Sequence, residues 1–415
     1  MADIQAQLAL LRNKVAAINL SHNGRHEVRP VRQASAFVEE ILTGQVVETA
    51  HGRHFETEKL YERHRRHGSV DISDLIELPE DFLASLSEGT IPNCHPTRWA
   101  FLDTETTGLA GGTGTYAFLI GVGSIDSAGF RVRQFFMRDY GEEASQLHAL
   151  HEYLRRFDVL ITYNGKAFDQ PLLETRFRMS RAPDPFGRMR HLDLLFGARR
   201  LWKLRLDSCR LVHLEHRILG LEREGELPGE MIPYYYFEFI RTQRAFRLVP
   251  IFHHNAMDIV SLACLTAIVP EAFRSPEALT LRHGADLLGL ARWLLQAGRM
   301  EQALKLLRRA VDLGLRDDLL FRTLLDIGML EKKLGREAAA LAMFTDLAAS
   351  PNPYRVRAFE ELAKYYEHRE RNYAMALEMT RTAREYGDSP EIRKREERLR
   401  ARTARRSKKT LWMAL

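Results

Sequence analysis

Two acidic residues, Asp103 and Glu105, lie one residue apart at the end of an apolar run, in the stretch FLDTETTGL at residues 101–109. Side chains of a β-strand alternate between its two faces, so acids at this spacing leave the strand on the same side. Their carboxylates are then close enough to share a cation, and the pair is costly without a counter-charge. Such a pair also occurs in surface salt bridges, so by itself it indicates catalysis only weakly.

Two further acids lie in stretches that suggest the same chemistry. Asp169 follows a strand that ends in Asn-Gly, in YNGKAFDQPLL, and it begins a predicted helix whose dipole also favours an acid. Asp258 interrupts the apolar positions of the predicted helix FHHNAMDIVSLACL. His254 precedes Asp258 by four residues and lies about 40° away around a helix, whereas His253 lies about 140° away.

If these acids converge, they form an oxygen-only site of the kind that hard divalent cations, Mg²⁺ or Mn²⁺, prefer. Two such ions about 3.5–4 Å apart can activate a water and stabilise the leaving oxygen of an in-line displacement. A nearby histidine can take the proton from the attacking water, because the ordinary pKa of histidine is near neutrality. The residue types therefore predict phosphoryl chemistry at a site with two divalent metal ions.

The elements that must position these residues form an α/β pattern. From residue 97, three short aromatic and aliphatic runs, RWAFLDTET, TYAFLIGVGSID and FRVRQFFM, predict a consecutive antiparallel meander. A strand VLITYNG, a short run HLDLL and helices near residues 146–156 and 168–179 follow. This alternation predicts a mixed sheet covered by helices. Further helices are predicted for the basic residues 201–218 and after Pro250.

The last third of the chain contains a repeat. The blocks GRMEQALKLLRRA, GREAAALAMFTDL and RNYAMALEMTRTA begin at Gly298, Gly335 and Arg371, and each carries an Ala-Leu pair at the same offset. Small residues that recur every thirty-odd positions are typical of stacked helical hairpins of the tetratricopeptide type. A plain helical bundle is the alternative.

Residues 1–95 combine a predicted first helix with a basic stretch, HGRHFETEKLYERHRRHG, at residues 51–68. Its histidines at 51, 54, 64 and 67 suggest a metal site, but no cysteine or acidic cluster completes one, so a solvated basic face is favoured. The charge run RKREERLRARTARRSKK at residues 393–409 predicts a solvated, frayed helix that could also contact phosphates, and residues 401–415 are expected to form a basic tail.

Composition sets wide limits. The formal net charge of +6 permits a polyanionic partner without requiring one. Three distant cysteines indicate neither a disulfide framework nor a zinc ribbon and favour the reducing cytoplasm. The N-terminus lacks the features of a signal peptide, and we expect no membrane span.

The order of these motifs resembles the DEDD (DnaQ-like) 3′–5′ exonuclease superfamily, which has a ribonuclease H-like fold. FLDTETTGL, YNGKAFDQPLL and HNAMDIVSL are similar to its three motifs. The stretches ARRLWKLRLDSCRL and LPGEMIPYYYFEFIR, and the repeats behind the nuclease-like domain, resemble the YprB-type ribonuclease H-like family in particular.

The resemblance implies that Asp103, Glu105, Asp169 and Asp258 bind two Mg²⁺ or Mn²⁺ ions and that His254 is the general base. The histidine branch of the superfamily spaces its base as His-x4-Asp, which would select His253, so both histidines remain candidates. We expect substrate binding by Asn164, Thr106, Arg199, Arg200 and Lys203. Asn164 has an equal alternative role in its own turn, and the loop GLAGGTGTY is better explained by flexible glycines than by a phosphate-binding loop.

The predicted architecture is an α/β ribonuclease H-like domain followed by an all-α repeat domain. Its segments are an N-terminal helical and basic extension (1–95), a nuclease-type domain (96–272), helical repeats (280–400) and a basic tail (401–415). The predicted function is a metal-dependent nuclease, with a 3′–5′ exonuclease on DNA or RNA as the leading hypothesis and a protein partner expected at the repeats. The alternatives are a non-catalytic nucleic-acid-binding adaptor and a structure-selective endonuclease. The sequence does not determine the oligomeric state.

Overall fold

The computed structural model describes residues 37–86, 90–108, 113–223, 225, 227–277 and 281–413. The chain divides into two compact units. The first comprises the residues up to 199 together with 208–274, and the second comprises residues 200–207 together with 275–415.

A seven-stranded mixed sheet forms the centre of the first unit. Its strands are β1 (Gln45–Thr49), β2 (Gly52–Glu62), β5 (Trp99–Thr106), β6 (Ala117–Asp126), β7 (Gly129–Phe136), β8 (Val159–Thr162) and β9 (Arg190–Asp193). The strand order is β1-β2-β7-β6-β5-β8-β9. Strands β8 and β9 run parallel to β5, and the other neighbours are antiparallel. Strands β5, β6 and β7 form the predicted meander.

Helices cover both faces of this sheet. The helices of the first unit are α1 (Val38–Ile41), α2 (Ile72–Ile76), α3 (Glu143–Leu154), α4 (Asp169–Met179), α5 (Leu194–Trp202, whose last three residues belong to the second unit), α6 (Leu211–Leu214), α7 (Ile232–Thr242) and α8 (Val249–Arg274). Helices α3 and α4 share one core with Phe135 of β7. Helix α7 and the start of α8 share the other core with Phe136. Consecutive residues of one strand thus serve opposite cores, as the alternation of strand side chains requires.

The N-terminal region differs from the predicted basic extension. Strands β1 and β2 belong to the same sheet as the nuclease-type domain, and β2 pairs with β7 along its length. A short hairpin, β3 (Arg66–His67) and β4 (Val70–Asp71), follows. His54 and His67 are buried, so the predicted solvated face is wrong at these two positions. The expected first helix lies largely outside the described residues.

The basic segment after α5 also differs from its prediction. A helix was expected over residues 201–218, but α5 ends at Trp202 and helical structure resumes only at Leu211. Leu201 and Trp202 are buried, and the Arg205 guanidinium donates to Asp286 Oδ1 at 2.8 Å within the second unit. These buried contacts outweigh the helical tendency of the segment.

The second unit consists of helical hairpins, as the repeat predicted. Its helices are α9 (Gly284–Gln296), α10 (Met300–Asp312), α11 (Asp317–Lys333), α12 (Glu337–Ala349), α13 (Arg355–His368), α14 (Tyr373–Tyr386) and α15 (Pro390–Met413). The repeat-initial residues Gly298, Gly335 and Arg371 lie in the turn inside each hairpin, with φ of 76°, 76° and 53°. The alanines of the Ala-Leu pairs are buried. The expected separate tail continues α15 as far as Met413.

One helix is long and apolar enough to cross a membrane by length and composition, the segment Ala245–Arg274 that contains α8. Most of this segment is buried inside the fold, where its apolar side chains face the sheet and neighbouring helices. The core helix of a soluble protein has the same composition, so this feature is only weak support for a membrane span.

Candidate active site

Strand β5 carries the first two acids at the centre of the sheet. Asp103 is paired with Gly121 of β6, and the strand pairing shifts between Glu105 and Thr106. Both carboxylates leave the same face of β5 and remain partly exposed. The expected D-x-E geometry is present.

Asp169 lies near this pair, on the side of β5 where the neighbouring strand is parallel. It is the first residue of α4, which follows β8, the parallel neighbour of β5. The Thr104 hydroxyl donates to Asp169 Oδ1 at 2.5 Å, which ties the start of α4 to β5. Burial raises the pKa of Asp169 to about 6, although the hydrogen bond from Thr104 opposes the rise.

Helix α8 can bring Asp258 close to the other acids because β6 has a glycine, Gly121, where it faces the helix. A Cβ at Gly121 would lie 2.2 Å from Asn255 Oδ1 and 2.3 Å from Ile259 Cδ1. Asn255 is fully buried. Its Nδ2 donates to Asp103 Oδ2 at 2.9 Å, and its Oδ1 accepts from Gln134 Nε2 at 2.9 Å. The amide is therefore fixed in one orientation, and it links α8 to the first acid.

Asp258 lies one helical turn after His254 on the same side of α8. His254 Nε2 is 3.7 Å from Asp258 Oδ2. The helix begins at Val249, so His253 is also helical, and its side chain is exposed. Helix geometry thus brings His254 to Asp258, whereas His253 does not bend in from a loop.

An arginine that the sequence did not suggest occupies the other side of Asp258. Arg223 Nη2 donates to Asp258 Oδ1 at 2.6 Å and also to Glu215, which is 1% exposed. Burial lowers the pKa of Arg223, but Asp258 and Glu215 outweigh that effect and raise it. The guanidinium is thus a counter-charge for two acids.

The electrostatics show that the four acids converge. Burial raises the pKa of Asp103 well above its ordinary value, and the charges of Asp258 and Asp169 raise it further. Burial, Asp103, Asp258 and Asp169 likewise raise the pKa of Glu105. Carboxylates that raise each other's pKa are close enough to repel when both are ionised.

The donor set fits a hard divalent cation, because four carboxylates supply oxygen ligands and excess negative charge. The present arrangement of their atoms is different. Among the described residues, no group of three or more His, Cys, Asp or Glu side chains is arranged to hold one ion. Three of the acids already accept from protein donors: Asp103 from Asn255, Asp169 from Thr104 and Asp258 from Arg223. An ion at Asp258 would compete with the Arg223 guanidinium for this carboxylate.

The predicted substrate-binding residues fall into two groups. Asn164 and Thr106 lie at the site edge: Asn164 has φ of 68° and its backbone N–H donates to Asp193, while Thr106 donates to the Gly108 carbonyl. Asn164 therefore has a role in its own turn. Arg199 and Lys203 are exposed, and the Arg200 guanidinium lies over the Trp293 ring. Residues 109–112 of the glycine loop lie outside the described residues.

The buried histidines of the N-terminal region bind protein groups. His54 lies 2.9 Å from Ser145 Oγ and 2.8 Å from Glu56 Oε1. His67 Nε2 lies 2.7 Å from Ser261 Oγ of α8. Burial and the charge of Arg223 lower the pKa of His67 to about 4. These contacts give His54 and His67 structural roles.

Three residues at the centre were missed from the sequence. Asn255 lies between His254 and Asp258, and its position four residues before Ile259 on the sheet-facing side could have indicated a buried polar role. Gly121 has a signal only once β6 is paired with β5. Arg223 lies in an irregular segment, and nothing in its spacing predicts its contact with Asp258.

Comparisons with known proteins support the fold. A family model of the RNase_H superfamily, RNase_H_2, matches residues 100–269. The superfamily fold supports nuclease-type activity. The chain resembles a family B DNA polymerase from Pyrobaculum calidifontis at 13% identity and a TM-score of 0.33, over 59% of this chain and 34% of the polymerase. It resembles a protein from Podosopora anserina with nearly identical TPR-like repeats at 15% identity and a TM-score of 0.24, over 58% of this chain and 94% of that one. At these TM-scores neither structure adds to the assignment.

The similarity to one curated protein extends beyond the nuclease-type domain. The uncharacterized protein YprB of Bacillus subtilis (strain 168) is 34% identical over 329 residues, which cover 77% of this chain and 77% of that protein. This chain therefore belongs to the YprB-type ribonuclease H-like family.

Proposed function

We propose that this protein is a divalent-metal-dependent nuclease that hydrolyses phosphodiester bonds of DNA or RNA from a 3′ end. The observation that carries the proposal is the convergence of Asp103, Glu105, Asp169 and Asp258 from a strand and two helices, with mutually raised pKa values at Asp103 and Glu105. A fold has little reason to gather repelling acids unless cations relieve the repulsion. The 3′ polarity and the exonuclease mode rest on the family resemblance.

Two Mg²⁺ or Mn²⁺ ions, when bound, would supply an activated water and stabilise the leaving oxygen. The chain itself would supply the rest. Asn255 orients the Asp103 carboxylate, and Thr104 orients that of Asp169. His254, which lies next to Asp258, would accept the proton of the attacking water.

One contact favours a second candidate, the non-catalytic adaptor. Arg223 already neutralises Asp258, so the centre has an internal cation on one acid. In the nuclease, a metal ion would compete with Arg223 for Asp258. In an adaptor, the ion pair would be permanent, and the ribonuclease H-like unit would only hold nucleic acid.

End-labelled single-stranded DNA and RNA, incubated with Mn²⁺ or with EDTA, separate these functions. The nuclease gives products that shorten from the 3′ end with Mn²⁺ only. Asp103→Asn and Asp258→Asn should abolish cleavage, and Glu48→Gln, a charge-matched change on the exposed edge strand β1, should not. Internal cuts would indicate an endonuclease, and the absence of cleavage by the wild type would support the adaptor.

We also propose a cytoplasmic location, since the odd number of cysteines is poorly suited to an oxidising compartment. The repeat unit is proposed as a docking arm for a protein partner. Stacked helical hairpins commonly present extended binding surfaces of this kind.

A further inference from the structure

An exposed aromatic and basic surface lies where α7 is joined to α8. It consists of Phe237, Arg241, Arg244, Phe246 and Arg247, and we call it the aromatic–basic patch. Phe237 is 38% and Phe246 54% exposed, which is unusual for phenylalanine. Arg241 and Arg244 are also exposed. The patch therefore presents apolar rings and positive charge together.

The local fold holds the patch outward. Helix α7 ends where Gln243 adopts a left-handed conformation, with φ of 56°. The one-turn 3₁₀ helix Ala245–Arg247 follows, and both Ala245 and Leu248 are fully buried. These two anchors fix the turn on the core, so that Phe246 and Arg247, which lie between them, are directed towards solvent.

The rings and cations of the patch interact with one another. The Arg247 guanidinium carbon lies 5.1 Å from the Tyr235 ring centroid and 5.6 Å from that of Phe246. Arg247 also donates to Glu238, and the two opposite charges balance each other. Arg241 and Arg244 keep the patch net positive. A surface of this composition suits stacked bases joined by phosphates.

The patch continues to the candidate active site along one side of α8. Phe246 lies just before α8, and Pro250, His254 and Asp258 follow it at every fourth residue along the helix. Val249, Pro250 and His253 are exposed. From Pro250 to Asp258 the helix rises about 12 Å. At about 3.4 Å for each stacked nucleotide, this corresponds to roughly four nucleotides.

We propose that the aromatic–basic patch binds the single-stranded nucleic acid substrate a few nucleotides from the scissile bond. Bases stack on Phe246 and Phe237, and Arg241 and Arg244 contact phosphates. The inference rests on the proposed nuclease function for the identity of its ligand, and it assigns that ligand a second point of attachment.

The test measures binding without cleavage. Fluorescein-labelled 15-mers of dT and rU are titrated with the full chain in EDTA, and anisotropy is read at several salt concentrations. Phe246→Ala should weaken binding about fivefold or more, and Phe246→Tyr, which retains a ring, should restore it. Arg244→Gln should reduce the slope of log Kd against log salt by about 0.7, the contribution of one phosphate contact on a single strand.

Arg178→Gln is the matched control, because Arg178 is an exposed arginine on α4 outside the patch. The Kd of Arg178→Gln and its slope of log Kd against log salt should match those of the wild type. Equal affinity and salt slope in all patch variants and wild type overturn the proposal. The proposal is also overturned if the patch variants bind nucleic acid normally and lose only the binding of a protein partner.

The outcome is separable from that of the nuclease proposal. Wild-type protein that binds through the patch but never cleaves with Mn²⁺ refutes the nuclease alone. If the wild type cleaves with Mn²⁺ but the patch variants bind nucleic acid as tightly as the wild type, only the patch proposal is refuted. Unchanged unfolding midpoints of the variants show that these exposed substitutions leave the fold intact.

Discussion

Three of the four acids are held by donors from the protein itself. Asn255 binds Asp103, Thr104 binds Asp169 and Arg223 binds Asp258. The two neutral donors can remain in place when a cation arrives, since a carboxylate accepts more than one bond. The Arg223 guanidinium competes with a cation for Asp258, because both carry positive charge. At the scale of residues, the centre thus contains orienting groups and one competitor.

The two adjacent histidines give a matched pair for testing the general base. His254→Gln should lower the cleavage rate at saturating substrate by about 100-fold or more, because His254 lies beside Asp258 and its proton-accepting role would be lost. His253→Gln should leave that rate within a fewfold of wild type, since the His253 side chain is exposed. Mn²⁺ binding by calorimetry should persist in both. A larger loss in His253→Gln would transfer the role to that residue.

Arg223 should set the affinity of the metal-free protein for cations. Arg223→Gln removes the competitor from Asp258, so Mn²⁺ should bind more tightly in a calorimetric titration without nucleic acid. The same change leaves Glu215 buried without its counter-charge, and breaking such a pair costs about 3–5 kcal/mol. The unfolding midpoint in EDTA should therefore fall. Arg217→Gln, at an exposed position nearby, is the control. Weaker Mn²⁺ binding in Arg223→Gln would show that the arginine supports the metal site instead.

At the scale of elements, the site depends on how closely α8 approaches the sheet. Gly121 and Gly123 of β6 face this helix, and a Cβ at Gly123 would lie 2.6 Å from Ile259 Cγ2. The helix surface can therefore rest on the backbone of β6. Gln134 of β7 fixes the distance between α8 and the sheet, because its amide donates to both the Phe252 carbonyl at 2.8 Å and Asn255 Oδ1.

Gly121→Ala should displace α8 and misplace Asp258 without unfolding the chain. The new methyl would overlap the Asn255 amide, whose bonds to Asp103 and Gln134 prevent an easy retreat. Overpacking of this kind costs about 1–3 kcal/mol. We expect at least a tenfold loss of Mn²⁺-dependent cleavage with a modest fall in the unfolding midpoint. Gly187→Ala is the control, since a Cβ there meets no atom within 4 Å. Full activity in Gly121→Ala would contradict the close packing described.

The sequence predicted the elements better than their contacts. The meander and the repeat hairpins follow from local composition, and the chain forms both. The role of β2 could not be predicted, because the charged residues of this strand pair with β7, which lies far along the chain. The same limit applies at the site. Asp103, Asp169 and Asp258 were identifiable by type, but the position of Arg223 depends on tertiary packing of an irregular segment.

At the scale of the whole molecule, different titratable groups make opposite contributions to the pH dependence of stability. The pKa of Asp169 is raised to about 6, so the folded metal-free protein binds an extra proton between about pH 4 and 6, and this contribution to stability falls as pH rises through that window. Burial lowers the pKa values of His67 and His191 to about 4. Their contribution rises with pH between about 4 and 6.5, because there the unfolded chain binds more protons. A single stability curve against pH therefore mixes both effects.

The difference between the curves of unfolding midpoint against pH, measured with and without Mn²⁺, should isolate the contribution of the carboxylates. At pH 5, a proton on Asp169 already relieves part of the repulsion among the acids, so Mn²⁺ should raise the unfolding midpoint little. From pH 6 to 8 this proton is released, and the cation can take its place, so the increase should grow to several degrees. The histidine contributions should largely cancel in this difference, since the hydrogen bonds of His67 to Ser261 and of His191 to Thr162 involve none of the four acids. Asp169→Asn should flatten the pH dependence. A Mn²⁺ effect of equal size at pH 5 and pH 8 would mean that the ion binds elsewhere than at these acids.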